Sequence, residues 1–342
     1  MRVHRYRALP GGSAHGPDVV DQSSGKRYIL AVSAGRHVTA LALGAVMAVA
    51  GAVPRVSHAQ EAPAASYDVS LVVDGAITAG LAGGTLLLSL WPVDTSKRWA
   101  REFFGRLDES VKGNFSDRAD MISDATLAVT IVAPVLFHLP GGWNRDTGRH
   151  LLLHGQAISA NLLVQNLTKF VVQRPRPYNY YSHPRVAEFA REAGKDSHVS
   201  FYSGHASTAF AAAVSGSYLF ASGPADREIK ALVWLFELTM ASTTTTLRVR
   251  AGRHFYSDVL TGAVIGSAIG FLVPALHAGE GGLYQPARLE WMAMAGGLVL
   301  GVTAARLLPL ANDIRVPLLP ESTRLVPMAD ERGAGMALAG WF

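Results

Sequence analysis

No cysteine occurs anywhere in the chain. Disulfides, zinc–thiolate centres and thiol nucleophiles are therefore excluded, and an oxidising compartment is permitted without being required. Charge is scarce as well: Asp, Glu, Lys and Arg make up 17% of 342 residues, below the usual share of about a quarter. The net charge of +5 is small and dispersed, and no nucleic-acid recognition motif is present, so nucleic acid is not an expected partner. No internal repeat is visible, which sets aside solenoids and propellers. Apolar residues are abundant at 49%, and glycine occurs 34 times among recurring Ala-rich runs. That mixture suits helices packed at close range, in a membrane or in a dense soluble bundle.

Near the N-terminus an apolar run over 39–53 follows Lys26, Arg27 and Arg36 and precedes Ser57-His58-Ala59. A basic region, a hydrophobic stretch and a small-x-small site read as a secretory signal cleaved after Ala59, with an uncleaved anchor helix as the alternative. Six later segments are long and poor in charge: 73–93, 121–139, 150–172, 203–222, 229–247 and 259–277; a shorter one covers 291–308. They exceed strand length and are rich in Ala and Leu, so each is predicted to be helical. The fold expected is all-α, a bundle of about six core helices. A short C-terminal β-hairpin is predicted around the turn Asp330-Glu331-Arg332-Gly333. The linker 94–120 carries mixed charge and an expected amphipathic helix around 99–107. The corresponding division is an N-terminal extension with signal or anchor over 1–59, a first helix and charged linker over 60–120, a core over 121–280, and a C-terminal helix and tail over 281–342.

A membrane-spanning helix needs about 20 apolar residues, which 259–277 and 203–222 approach. The segment 150–172 carries His154, Gln156, Asn161, Gln165, Asn166 and Lys169. Such polarity is costly in lipid unless it faces a protein interior. The expectation is a cell-envelope protein, at the inner membrane or in the periplasm, with membrane lipid as a partner and its working face towards the periplasm. Parity complicates that orientation. If the signal is cleaved, three crossings place the loop after Val172 in the cytoplasm. A periplasmic site then needs an uncleaved anchor, a non-spanning helix or a bundle wholly in the periplasm. Nothing in the sequence specifies the oligomeric state.

Three short segments carry the chemistry. They are Lys169-Phe170-Val171-Val172-Gln173-Arg174-Pro175-Arg176-Pro177, Tyr202-Ser203-Gly204-His205, and Arg248 through Asp258. A phosphomonoester carries roughly two negative charges at neutral pH. Its hydrolysis needs that charge held, a nucleophile in line and a proton for the departing oxygen. Lys169, Arg176 and Arg248 can supply fixed positive charge, Arg by two-point contact and Lys as a point charge. A snorkelling pair at a helix end explains Lys169 and Arg176 equally well when they are taken alone. Ser203, Gly204 and His205 open a helix whose free N–H groups suit an anion. Ser203 can cap that helix or donate to a phosphate oxygen, and Gly204 removes side-chain bulk. His254 and Asp258 lie four apart, so on a helix they share a face. A carboxylate bonded to one ring nitrogen would leave the other free to attack phosphorus. The same spacing can hold a metal, though no further ligand pair is nearby. Arg250 and Arg253 add charge that a solvated or headgroup-facing patch would also explain.

Taken together, the three segments resemble the signature of the type 2 phosphatidic acid phosphatase superfamily, which includes bacterial acid phosphatases and vanadium haloperoxidases. Its pattern is K-x6-R-P, then P-S-G-H, then S-R-x5-H-x3-D. Lys169, Arg176 and Pro177 match the first part. Ser203, Gly204 and His205 match three places of the second, and Arg248, His254 and Asp258 match the third. Tyr202 stands where the family has Pro, and Leu247 where it has Ser. The resemblance implies an acid phosphatase/haloperoxidase-like helical bundle and a phosphoric ester hydrolase that needs neither metal nor cofactor. His254 would be the nucleophile that forms a phosphohistidine, Asp258 its orienting partner, and His205 the acid for the leaving group. Lys169, Arg176, Ser203, Gly204 and Arg248 would bind the phosphoryl oxygens. The implied substrate is a lipid phosphate monoester or diphosphate. The other readings are a soluble periplasmic acid phosphatase, a vanadium haloperoxidase, and a lipid-phosphate-binding scaffold without turnover. Vanadate would act as an inhibitor in the hydrolases and as the cofactor in a haloperoxidase.

Overall fold

A computed structural model of the chain describes residues 66–96, 105–138, 140, 142–310, and the backbone of 324–330 and 333–339. The expected signal region with its cleavage after Ala59 lies outside these residues, as does most of the expected linker helix around 99–107.

Among the described residues the helices are α1 (Leu71–Ser89), a one-turn α2 (Arg106–Glu109), α3 (Asp117–His138), α4 (Arg145–Val172), α5 (Pro184–Glu192), α6 (Gly204–Ala221), α7 (Arg227–Arg250), α8 (Tyr256–Leu276) and α9 (Arg288–Leu307). Each of the seven apolar segments forms one of these helices, with ends displaced by a few residues. The short, strongly amphipathic α5 has no counterpart among the apolar segments; Pro184 at its first position favours a helix start. Strands β1 (Arg324–Asp330) and β2 (Gly333–Ala339) pair antiparallel across the predicted turn.

Local chemistry sets the helix starts. Ser70 caps α1 by accepting from the Val73 N–H, and Asn144 caps α4 by accepting from the Thr147 N–H. Helix α4 ends at Gln173, whose φ of 51° is left-handed, and Pro175 follows. The chain therefore turns sharply just beyond Lys169.

Helix α6 lies at the centre, packed against α3, α4, α7 and α8. Its apolar run approaches the length of a membrane span, yet almost every residue on it is buried inside the bundle. Its approach to α8 is backbone on backbone. A Cβ added at Gly266 would lie 2.1 Å from the Ser207 carbonyl oxygen, and one at Gly270 would lie 2.6 Å from that of Ala211. Only glycine permits this spacing. The polar residues of α4 face inward, as their composition requires. Asn161 donates to Ser207 and Thr208 of α6, and His154 pairs with Ser215 at 2.8 Å.

Among the described residues, three helices are long and apolar enough to cross a membrane: α1, α3 and α8. On α1 and α8 the outward side chains are apolar, including Val72, Leu86, Leu87, Val264 and Leu276, all at least 70% exposed.

Candidate active site

One end of the bundle gathers the C-terminal ends of α4 and α7 and the N-terminal ends of α3, α6 and α8. Two irregular stretches weave through it. The Arg176 N–H donates to the Ser197 carbonyl and the Ser200 N–H to the Arg174 carbonyl, so the segment after α4 is laced to the loop before α6. The third segment closes over the chain before α3. Gly252 has φ +70°, and a Cβ there would lie 1.8 Å from the Asn114 carbonyl oxygen. Glycine alone satisfies both conditions.

His254 is buried at 1% exposure. Its Nδ1 lies 2.9 Å from the Ser200 carbonyl oxygen. A carbonyl only accepts, so Nδ1 carries the proton. The Nε2 lone pair then accepts from Arg176 Nη1 at 3.0 Å. Burial pushes the His254 pKa well below its usual value, and the positive charges of Arg176, Arg248 and Lys169 push the same way. The ring is thus neutral, with a lone pair facing a cationic pocket. Asp258, at 0% exposure, lies 3.6 Å from Nδ1. The hydrogen bond expected from this ring to a carboxylate is donated instead to the Ser200 carbonyl oxygen. The Asp258 oxygens are already engaged by Arg174 Nη1 at 2.5 Å, the Ser200 hydroxyl at 2.5 Å and the Phe255 N–H at 2.9 Å.

Arg176 is held by Asp196, whose carboxylate and carbonyl both accept from it at 2.8 Å, and by the Arg253 carbonyl at 3.1 Å. Arg248 donates to Asp120 and to Ser123 of α3, and Arg253 donates to Asp120 at 2.7 Å. Arg253 also stacks on Phe189, its guanidinium 4.0 Å from the ring centre, which ties it to α5. Arg250 lies apart from this cluster, donating to carbonyls at the end of α9. Lys169 is half-buried and has no ion-pair partner among the described residues. Burial and the adjacent Arg176 hold its pKa down to about 8.

The Ser203 hydroxyl caps α6 by accepting from the Ala206 N–H. The space beside Gly204, expected to admit a phosphate, is occupied by the Gln165 side chain, whose Oε1 would lie 1.9 Å from an added Cβ. His205 Nε2 lies 2.7 Å from Asp124 Oδ1 on α3. Burial lowers the His205 pKa, and the Asp124 contact opposes that shift.

Both departures from the family pattern are buried. Leu247 is fully buried with Ala119, Ile122, Ala251 and Ala305. Tyr202 is buried at 1%, and its hydroxyl meets no partner among the described residues.

Residues 150–281, a stretch containing all three segments, match the family model described as PAP2 superfamily. Over that stretch the chain is similar to the PAP2 superfamily. No curated protein and no solved structure matches the chain. The PAP2 match supports phosphoesterase chemistry in general and an all-α bundle. It begins after α3, so Asp120 and Asp124 lie outside it. Those two, with Asp108, Ser200, Asp196 and Arg174, are the site residues that sequence reasoning does not single out. Arg174 lies within the first quoted segment, and Asp120 and Asp124 show a helical i, i+4 spacing. Neither signal specifies a partner.

Proposed function

We propose that the protein is a phosphohydrolase that cleaves lipid phosphate monoesters or diphosphates through a phosphohistidine at His254. The observation that carries this reading is the state of His254: neutral, proton on Nδ1, lone pair on Nε2 beside Arg176. Lys169, Arg176 and Arg248 would hold the phosphoryl oxygens. Attack by Nε2 forms the P–N bond as the P–O bond to the alcohol breaks. His205 gives its proton to the leaving oxygen, and the Ser200 carbonyl with the nearby Asp258 carboxylate steadies the imidazolium. His205 then accepts a proton from water as the water oxygen attacks phosphorus. The P–N bond breaks, and its electron pair returns to Nε2. Fixed charges around the five-coordinate phosphorus stabilise the transition state without reorganisation.

A lipid substrate is favoured over a soluble ester by the apolar exterior of α1 and α8 and by the length and apolarity of α1, α3 and α8, each sufficient to cross a bilayer. Phosphatidic acid and a polyprenyl diphosphate are the two to compare with a soluble ester. His254→Ala is expected to abolish phosphate release while thermal unfolding stays cooperative. Acid-labile 32P incorporation should occur in the unsubstituted chain and be absent from the variant. Retained turnover in His254→Ala would falsify the assignment.

A further inference from the structure

Helix α3 brings a second carboxylate–imidazole pair to the pocket. His205 Nε2 and Asp124 Oδ1 are 2.7 Å apart, and an ionised carboxylate only accepts, so Nε2 carries a proton in this pair. The proton that can come and go is therefore the one on Nδ1. We propose that Asp124 is the positioning residue of the general acid: it fixes the Nε2–H tautomer of His205 and so makes Nδ1 the atom that protonates the leaving oxygen. This rests on the phosphohydrolase reading above.

The step balances simply. Imidazolium His205 gives the Nδ1 proton to the alkoxide as the P–O bond breaks. Neutral His205, with Nε2–H still on Asp124, then takes a proton from the attacking water at the same Nδ1. Asp124 remains a carboxylate throughout.

Several charges face this ring. Asp124 comes from α3, Arg248 from α7 and Arg176 from the turn after α4, with His254 beside it. Lys169 of α4, Asp258 of α8, Asp196 on Arg176, and Asp120 with Arg253 are the other charged groups of the pocket. Asp258 is committed to Arg174 and Ser200. Asp124 is thus the carboxylate bonded to His205, and it also lies 3.7 Å from Arg248. Without it, burial and two arginines would act on the ring unopposed. The other α3 carboxylate, Asp120, is bonded to Arg248 and Arg253. One helix therefore sets both the phosphate clamp and the acid. Asp124 is 61% exposed, so its replacement leaves the core intact.

The test uses the full chain in detergent micelles with dodecyl phosphate, a poor leaving group, and 4-nitrophenyl phosphate, a good one. Asp124→Asn should lower kcat on dodecyl phosphate by at least about tenfold, a part of the usual acid–base contribution, with KM within about twofold. The rapid burst of 4-nitrophenolate, which needs no proton, should stay within about threefold. The alkaline limb of kcat should move to lower pH, because a less basic His205 loses its proton sooner. Asp124→Glu should recover part of the loss. In a His205→Ala background, Asp124→Asn should add almost nothing.

Equal losses on both substrates with a raised KM and an unmoved limb would overturn the proposal, since Asp124 would then act through Arg248. If His205→Ala is severe and Asp124→Asn is silent, the proposal fails while the phosphohydrolase reading stands. If His205→Ala is silent on dodecyl phosphate, His205 is not the acid and the proposal fails, while the phosphohydrolase reading is decided separately by His254→Ala.

Discussion

Lys169 differs from the arginines around it. Arg176 and Arg248 are bound to Asp196 and Asp120, whereas Lys169 makes no ion pair among the described residues and feels Asp196 and Asp258 only at longer range. Burial is the largest cause of its lowered pKa of about 8, and Arg176 adds to it. A lysine lowered in this way carries its charge below that pH and loses it as pH rises through it. The kcat/KM for a phosphomonoester, which reports the free protein, should therefore fall along an alkaline limb near pH 8. Lys169→Arg should carry the limb upward out of range, and a limb that stays in place would assign it to another group. This limb is separable from that of His205, whose lowered pKa places its own limb at lower pH. Leu247 behaves differently again. Restoring the family Ser would remove a fully buried side chain from the packing of α7 on α3 and α9. By analogy with Leu→Ala in cores, a loss of about 2–5 kcal/mol is expected, measured as a lowered unfolding temperature with kcat preserved in the folded fraction.

At the scale of elements, the N-terminus of α8 is held by a buried ionic chain. Arg174 bridges Asp258 at 2.5 Å and Asp108 of α2 at 3.0 Å, and all three side chains are 0% exposed. Asp108 also accepts from the Ser257 N–H at 3.0 Å and the Ser257 hydroxyl at 2.5 Å. Arg174 lies over the Phe255 ring at 3.9 Å. Removing Arg174 strands the two buried carboxylates that it joins. Arg174→Ala should therefore destabilise the protein by about 3–5 kcal/mol and lower activity as the loop carrying His254 loses its anchor. An unchanged unfolding temperature would mean that the chain contributes little to stability. The long helices are legible in the amino-acid sequence, because apolar runs, Ser and Asn caps and the Pro175 break act within a few residues. The one-turn α2 is not, since four residues with no apolar period carry no such signal. Its position depends on Arg174, 66 residues away.

Across the whole molecule, polar side chains turn inward on α4 while apolar side chains cover the outside of α1 and α8. Water-soluble bundles place these groups the other way round, and the inverted arrangement matches a lipid surround. The full chain is expected to stay with the membrane fraction through high-salt and alkaline washes and to require detergent for release. Recovery in the wash supernatant would favour the soluble acid phosphatase alternative. Local sequence is sufficient for the all-α fold, for the apolar helices and for the three segments that carry the family pattern, because each rests on spacing within a short stretch of chain. The partners of those residues are decided by packing. The Ser200 carbonyl accepts from His254, the Asp124 carboxylate accepts from His205, Gln165 fills the space beside Gly204, and Leu247 joins the core. Each of these contacts joins residues on different elements, far apart in the chain, and no pattern along the chain specifies which distant carbonyl, carboxylate or methyl group will come within reach.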